Sequence, residues 1–260
     1  MAKEKIIFFG NGPLAEAALE VLERHFEITI HVREKSDLLQ VKKMKEAHPE
    51  IHGVLASFGV LIREDILELF EPEGILNIHP SLLPQYRGAS PIETAILDGA
   101  TEFSVSIMKL VKAMDAGPIY YQTTLKNLPL DKAEIYRSLA VAGAKWLCKN
   151  ITDLPEPTLQ DDAKATFTTK FEKNMGVIDP TTESAETIFR KIVAFQGFPK
   201  TKYAFYGHPA IILEAKVLEV GETAPLMLEC ADGRNLAILR LQPENRKPMD
   251  AKSFINGYGK

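Results

Sequence analysis

Cysteine and tryptophan are scarce in this chain of 260 residues, with two of the first, Cys148 and Cys230, and one of the second. Two cysteines far apart supply neither a disulfide framework nor the clustered thiols of a structural metal site, so buried free thiols under reducing conditions are expected. A dominant charge is missing as well. With 31 Lys and Arg against 35 Asp and Glu the net charge is −4, and the composition as a whole carries no basic signature. Nor does the N-terminus hold a long apolar run. Only Ile6 to Phe9 separate Lys5 from Gly10, too few for a signal segment or a membrane span, which points to a cytoplasmic protein. There is no internal repeat and no low-complexity tract. What is present, 45% hydrophobic and 25% charged residues, suits a soluble protein with a proper core, and the length suits a main domain plus an accessory one. The charge is uneven: residues 181 to 260 hold 11 Lys and Arg against 9 Asp and Glu, and residues 1 to 180 hold 20 against 26.

Short apolar runs at 6 to 10, 26 to 32, 53 to 57 and 74 to 79 alternate with amphipathic stretches beginning at Leu14, at 38 to 48 and at 62 to 70. Strands alternating with helices at this spacing predict βαβ units and a mostly parallel, Rossmann-like sheet, with ligands beyond the carboxyl ends of the strands. Gly10-Asn11-Gly12 lacks the third glycine of a dinucleotide fingerprint and reads as a tight turn. Further on, the pattern predicts a short helix over IETAILDG, strands at 103 to 110 and 120 to 127, and a long helix over 131 to 151. Residues 152 to 181 hold Pro, Thr and Asp without a sustained period and read as an interdomain connection. An amphipathic helix at 183 to 195 and β-like runs at 203 to 206, 210 to 220, 225 to 231 and 235 to 242 predict a small β-rich module. The expected division is 1–160, a linker at 161–181, and 182–260.

Asn77 and His79 stand two apart at the end of the fourth strand, so their side chains leave on one face. Asp115, in the loop MDAG after the 103 to 110 strand, can reach them from a neighbouring strand. Amide, imidazole and carboxylate suit acyl transfer to an amine: Asn77 to donate to the developing oxyanion, His79 to carry the proton, Asp115 to orient and stabilise the imidazole or to take a proton from the amine directly. No G-x-S-x-G elbow and no paired metal ligands compete with that chemistry, and no metal is expected. Each residue taken singly also fits a structural role, as a strand-end cap, a hydrogen-bonded core histidine or a turn aspartate.

The stretch NIHPSLLPQYRGASPIETAILDG followed by MDAGPI resembles the signature of the formyltransferases that use formyltetrahydrofolate. The resemblance implies that Asn77, His79 and Asp115 are the catalytic trio, that Ser81, Leu82, Leu83 and Pro84 line the folate site, and that Phe58, Gly59 and Met114 help to hold the pterin. It implies 10-formyltetrahydrofolate as the formyl donor. Several branches share this core. RGASPIETAILDG, AFQGFPKTKYAFYG and LRLQPENRKPMDAKSFINGY are similar to the branch acting on methionyl-initiator tRNA, whose C-terminal part is an OB-like barrel that contacts the tRNA. Lys200, Lys202, Arg246 and Lys247 would then meet phosphates, and Arg87 would position the acceptor end, a surface ion pair being its plain alternative. A monomer is expected.

Two departures from that branch are visible. REKSDLLQVKKMKEAH passes almost directly into a helix, without the basic loop that enters the acceptor stem, so Lys42, Lys43 and Lys45 are the candidates to replace it, or else form a solvated helix face. The C-terminal module also looks short for a complete five-stranded barrel. A nucleotide-sugar N-formyltransferase remains the alternative enzyme, and a folate- or RNA-binding protein without turnover the alternative of another class.

Overall fold

The order of apolar and amphipathic runs becomes two compact units in the computed structural model, which describes residues 3–259; residues 1, 2 and 260 of the expected domains lie outside the described residues. The first unit comprises residues 1–92 and 101–169, the second 93–100 and 170–260.

In the first unit β1 (Lys5–Phe9), β2 (Glu27–Val32), β3 (His52–Leu55), β4 (Ile75–His79), β5 (Glu102–Lys109) and β6 (Ile119–Lys126) form one sheet in the order β2-β1-β3-β4-β5-β6. The first four are parallel and the last two antiparallel. Ile6, Ile7, Phe8 and Phe9 are all fully buried, as a strand covered on both faces requires, and each such side chain contributes about 1.5–3 kcal/mol of transfer free energy. The unit's helices are α1 (Gly12–His25), α2 (Leu38–Ala47), α3 (Glu64–Leu67) and α5 (Lys132–Asn150), while most of α4 (Pro91–Leu97) belongs to the second unit. Leu38 and Val41 of α2 and Ile66 of α3 share one core cluster with Ile7, Phe9 and Leu55. α5, capped by Asp131 through the Glu134 amide, covers β4 and β5: a Cβ added at Gly143 would stand 2.8 Å from Ile78. The 62 to 70 helix is shorter than expected, an α-turn followed by a 3₁₀ turn at Glu68–Phe70, because Glu71 precedes Pro72 and must be extended.

Residues 158 to 168, read as part of a connection, are an ordered strap on this unit. Thr158 exchanges both backbone hydrogen bonds with Ile119 at 2.8 Å, and Arg87 bonds Thr166 at 2.9 Å and Thr168 at 2.8 Å. The Thr166 hydroxyl accepts the Tyr86 amide at 2.8 Å. Threonines in an extended segment pair through backbone and hydroxyl together, a pattern that leaves no apolar period to read.

In the second unit α6 (Ala185–Ala194), capped by Ser184, packs its apolar face on an antiparallel sheet of β7 (Lys202–Phe205), β8 (His208–Val217), β9 (Met227–Glu229), β10 (Asn235–Pro243) and β11 (Met249–Asp250). β10 pairs with β8 along its length, with β9 near its start and with β11 near its end. Five strands are therefore present, the number a small barrel needs, and among the described residues no pairing joins β7 to β9 or β11. β11 and α7 (Ala251–Tyr258) went unassigned from sequence. The signal was there: Asp250 caps the Ser253 amide, and Ala251, Phe254, Ile255 and Tyr258 follow helical spacing. Cys230 is buried in this core and Cys148 half-buried in α5; both are free thiols.

Candidate active site

β4 sits between β3 and β5, so its alternate side chains are committed: Leu76 and Ile78 to the core, Asn77 and His79 to the opposite face. Asn77 and His79 are both buried, and the Asn77 amide makes no hydrogen bond to another described residue. His79 is fixed on one side, where Nε2 donates to the Tyr86 carbonyl at 3.2 Å. On its other side Nδ1 lies 3.7 Å from Asp115 Oδ1. The loop between β5 and β6 thus returns Asp115 to the imidazole, as expected.

Asp115 has φ +49°, a left-handed conformation that costs a non-glycine residue about 1–3 kcal/mol and persists only where its surroundings over-determine it. Its Oδ2 accepts the Gly88 amide at 2.7 Å. Gly88 itself has φ +120°, and a Cβ there would meet Thr168 Oγ1 at 2.4 Å, so neither its backbone nor its space admits a side chain. Gly117, two residues beyond Asp115, is equally confined: a Cβ would stand 1.9 Å from the Lys109 carbonyl oxygen.

These groups border a cavity of about 450 Å³, of the size that takes a small molecule. Its walls are the segment Ser57 to Ile62 after β3, Asn77 to Pro80, Gly88 and Ala89, the loop Leu110 to Lys112 with Met114 and Asp115, and Leu14 and Tyr136 from α1 and α5. The position, outside the carboxyl ends of β1, β3 and β4, is where parallel α/β sheets bind ligands. Phe58, Gly59 and Met114 are among its lining residues, Met114 with two-thirds of its surface exposed.

Ser81, Leu82, Leu83 and Pro84 do not line it. They form a clamped turn. The fully buried Ser106 hydroxyl donates to the Ser81 carbonyl at 2.6 Å and accepts from the Leu83 amide at 3.2 Å and Gln122 Nε2 at 2.8 Å. Gln122 Nε2 also reaches the Leu83 carbonyl, and Ser81 Oγ donates to Gln85 O. Ser81 and Leu83 are consequently buried, and Leu82 is exposed.

Arg87 is 4% exposed, and its guanidinium bonds Gln160 Oε1 and Asp162 Oδ1: the structure shows the ion pair that was the plain alternative to a phosphate-positioning role, with a buried arginine tying the loop to an exposed Asp162 on the strap. Lys45 is likewise withdrawn. Its Nζ donates to the Pro49 and Ile51 carbonyls and stands 4.7 Å from the Phe70 ring centre, and burial pulls its pKa below the usual lysine value. Lys42 and Lys43 are exposed on α2. In the second unit Lys200, Arg246 and Lys247 are exposed and Lys202 half-buried. Lys202 pairs with Ile211, Ile211 with Gln242, and Gln242 Nε2 donates to the Arg246 carbonyl, so Lys202 and Arg246 belong to one end of the sheet. Sequence reasoning missed Leu14, Leu61, Lys112 and Tyr136 in the walls; only Leu61, apolar yet next to a buried strand's turn, left any local signal.

An amide, an imidazole and a carboxylate on one wall of a strand-end cavity suit acyl transfer. Comparison with known proteins narrows this. Residues 12–151 match the formyl transferase model and residues 170–259 the formyl transferase C-terminal domain, and the chain belongs to the formyl transferase family. It is 34% identical over 229 residues to the methionyl-tRNA formyltransferase of Dehalococcoides mccartyi strain CBDB1, which covers 82% of this chain and 72% of that protein. Among solved structures, HypX from Aquifex aeolicus in complex with tetrahydrofolic acid shares the fold with a TM-score of 0.76 at 18% identity, over 98% of this chain and 47% of its own, so this chain spans about half of HypX. The methionyl-tRNA formyltransferase from Clostridium thermocellum shares it with a TM-score of 0.67 at 17% identity, over 95% of this chain and 99% of that one. Among the described residues no helix is long and apolar enough to cross a membrane, and no group of three or more His, Cys, Asp or Glu is placed to hold a metal ion.

Proposed function

We propose that this enzyme transfers the formyl group of 10-formyltetrahydrofolate to the α-amino group of methionyl-initiator tRNA, in the cytoplasm and as a monomer. The observation that carries the reading is the extent of likeness to methionyl-tRNA formyltransferases, 34% over 82% of the chain, together with the convergence of Asn77, His79 and Asp115 on one cavity.

The lining of the cavity supports a folate as its occupant. Phe58, Leu61, Leu110 and Met114 offer apolar surface to a flat heteroaromatic ring, and the backbone of the 57 to 62 and 110 to 112 segments offers polar edges to it. The donor supplies a formyl carbon whose bond to nitrogen breaks as the acceptor amine bonds to it, with one proton passing from the amine to the leaving nitrogen. Asn77, whose amide has no hydrogen-bond partner among the described residues, donates to the formyl oxygen as it gains charge, for a gain of about 10²–10³ in rate. His79 carries the proton at the nitrogen facing Asp115, for roughly 10²–10⁴. Asp115, bonded to Gly88, holds and stabilises that imidazole.

In this reading the first unit, with the strap at 158–168 bound to it, catalyses, in place of the expected division at 1–160 with a linker over 161–181; the C-terminal module contacts tRNA through Lys200, Lys202, Arg246 and Lys247, with Lys42 and Lys43 supplying charge in the first unit. A second reading, an amino-sugar nucleotide as acceptor, is favoured by the short passage from β2 to α2, where only residues 33–37 stand between strand and helix. Purified protein with 10-formyltetrahydrofolate, offered methionyl-initiator tRNA and an amino-sugar nucleotide in parallel, decides between them. Transfer to the tRNA is the expected result; transfer to the sugar alone overturns the proposal.

A further inference from the structure

Gln160 does not line the cavity, and none of the chemistry above uses it. Its side chain nonetheless makes four hydrogen bonds. Nε2 donates to the carbonyl oxygens of Asp115 at 2.8 Å and Gly117 at 2.7 Å. Oε1 accepts from Arg87 Nε at 3.1 Å and Nη2 at 2.8 Å. A primary amide has two N–H donors and two acceptor lone pairs, so its capacity is used in full. The orientation of the amide is fixed too, because a guanidinium only donates and a carbonyl only accepts.

These contacts close a ring around Asp115. The carboxylate Oδ2 holds the Gly88 amide; Gly88 follows Arg87; the Arg87 guanidinium holds Gln160; Gln160 holds the Asp115 carbonyl. Carboxylate and backbone are thus fixed from the same two loops. The direction of the carboxylate depends on that backbone, because Asp115 occupies a left-handed conformation that an unsupported aspartate readily leaves. Loss of Gln160 keeps the Gly88 contact and removes both donors beneath the chain at 115 and 117.

We infer that Gln160 is a positioning residue for Asp115, setting the backbone from which the carboxylate faces His79 without touching the reacting groups. The inference rests on the formyl-transfer reading of the same site. A merely structural amide, tying the strap to the 115 to 117 turn, affects stability and acts equally whether or not residue 115 carries a carboxylate.

The experiment measures kcat, KM for the acceptor, tetrahydrofolate Kd and the melting temperature for Gln160→Met and Gln160→Glu, each in wild-type and Asp115→Asn backgrounds. Met removes all four bonds; Glu keeps the acceptor toward Arg87 and loses the donors. In the wild-type background kcat falls about 10- to 100-fold in both variants, the scale of a displacement near 1 Å at a reacting group, with KM and Kd within about twofold; with Asn at 115 the further loss stays under about twofold, since coupled groups are not additive. Unchanged kcat, an equal loss in both backgrounds, or a KM that rises in step overturns the inference. If the Met variant does not fold, the Glu variant carries the test by the same readings. An inactive wild-type protein overturns the transfer reading and this inference with it, whereas an active wild type with unaffected variants overturns this inference alone.

Discussion

His79 Nδ1 faces Asp115 Oδ1 across 3.7 Å, while Nε2 at the far side of the ring donates to the Tyr86 carbonyl. Both neighbours accept and neither donates, so the imidazole is held between two acceptors, one engaged and one just out of reach. Closing the carboxylate side to an ordinary hydrogen bond takes a shift of ~0.7 Å.

Removal of either β4 side chain tests this site. His79→Ala is expected to lower kcat by about 10²–10⁴ and Asn77→Ala by about 10²–10³. Tetrahydrofolate affinity, measured by calorimetry, stays nearly unchanged in both, because each group acts on charge that develops only during transfer. Near wild-type turnover in either variant removes the residue from the mechanism.

Lys45 gives a stability prediction. Lys45→Met keeps the stem and removes the Nζ that donates to the Pro49 and Ile51 carbonyls. Two acceptors are left without this donor, at a cost of about 1–3 kcal/mol, to be read from the urea midpoint. RNA affinity, in contrast, should not change.

Cys230 gives a pH prediction. Burial, seconded by the Asp232 carboxylate, raises its thiol from 9.0 to about 11. A raised folded-state pKa contributes stability that is whole below the unfolded value and is lost as pH climbs through the folded one. The urea midpoint should therefore decline between pH 9.0 and about 11, and decline less in Cys230→Ala. A thiol reagent at pH 8 should leave Cys230 unmodified until the protein is unfolded.

RNA affinity should fall steeply with salt. The double variant Arg246→Ala/Lys247→Ala is expected to flatten the log–log slope by about one to two units, read from filter binding at several salt concentrations. Arg87→Met, by contrast, should leave the slope as it is and lower stability, since its guanidinium is committed to Gln160 and Asp162.

The parts that were legible in the sequence are those written in a period. The four parallel strands, and the shared face of Asn77 and His79, follow from apolar runs and from the alternation of a strand. Lys45 was legible in principle, since it falls on the stripe of Leu38 and Val41, yet a lysine there reads as solvated unless the carbonyls that receive it are known. Asp115 was legible as a candidate from its place in the loop after the 103 to 110 strand, but a turn aspartate reads the same way, and family likeness was what favoured the trio. The burial of Arg87 could not be read at all. Its partner Gln160 lies 73 residues away in a stretch of Thr, Asp and Pro that binds by individual polar contacts and leaves no repeating pattern.

The passage from β2 to α2 also bears on the thermodynamics of whatever meets that edge. Asp37 Oδ2 already takes the amides of Arg33 and Glu34 at 2.9 and 3.1 Å, which also holds its carboxyl below the usual aspartate range. A backbone closed on itself in this way has no loop left to order. Association at this edge should then carry no entropic penalty for folding a segment, and its heat-capacity change should track the apolar surface removed from water and little else.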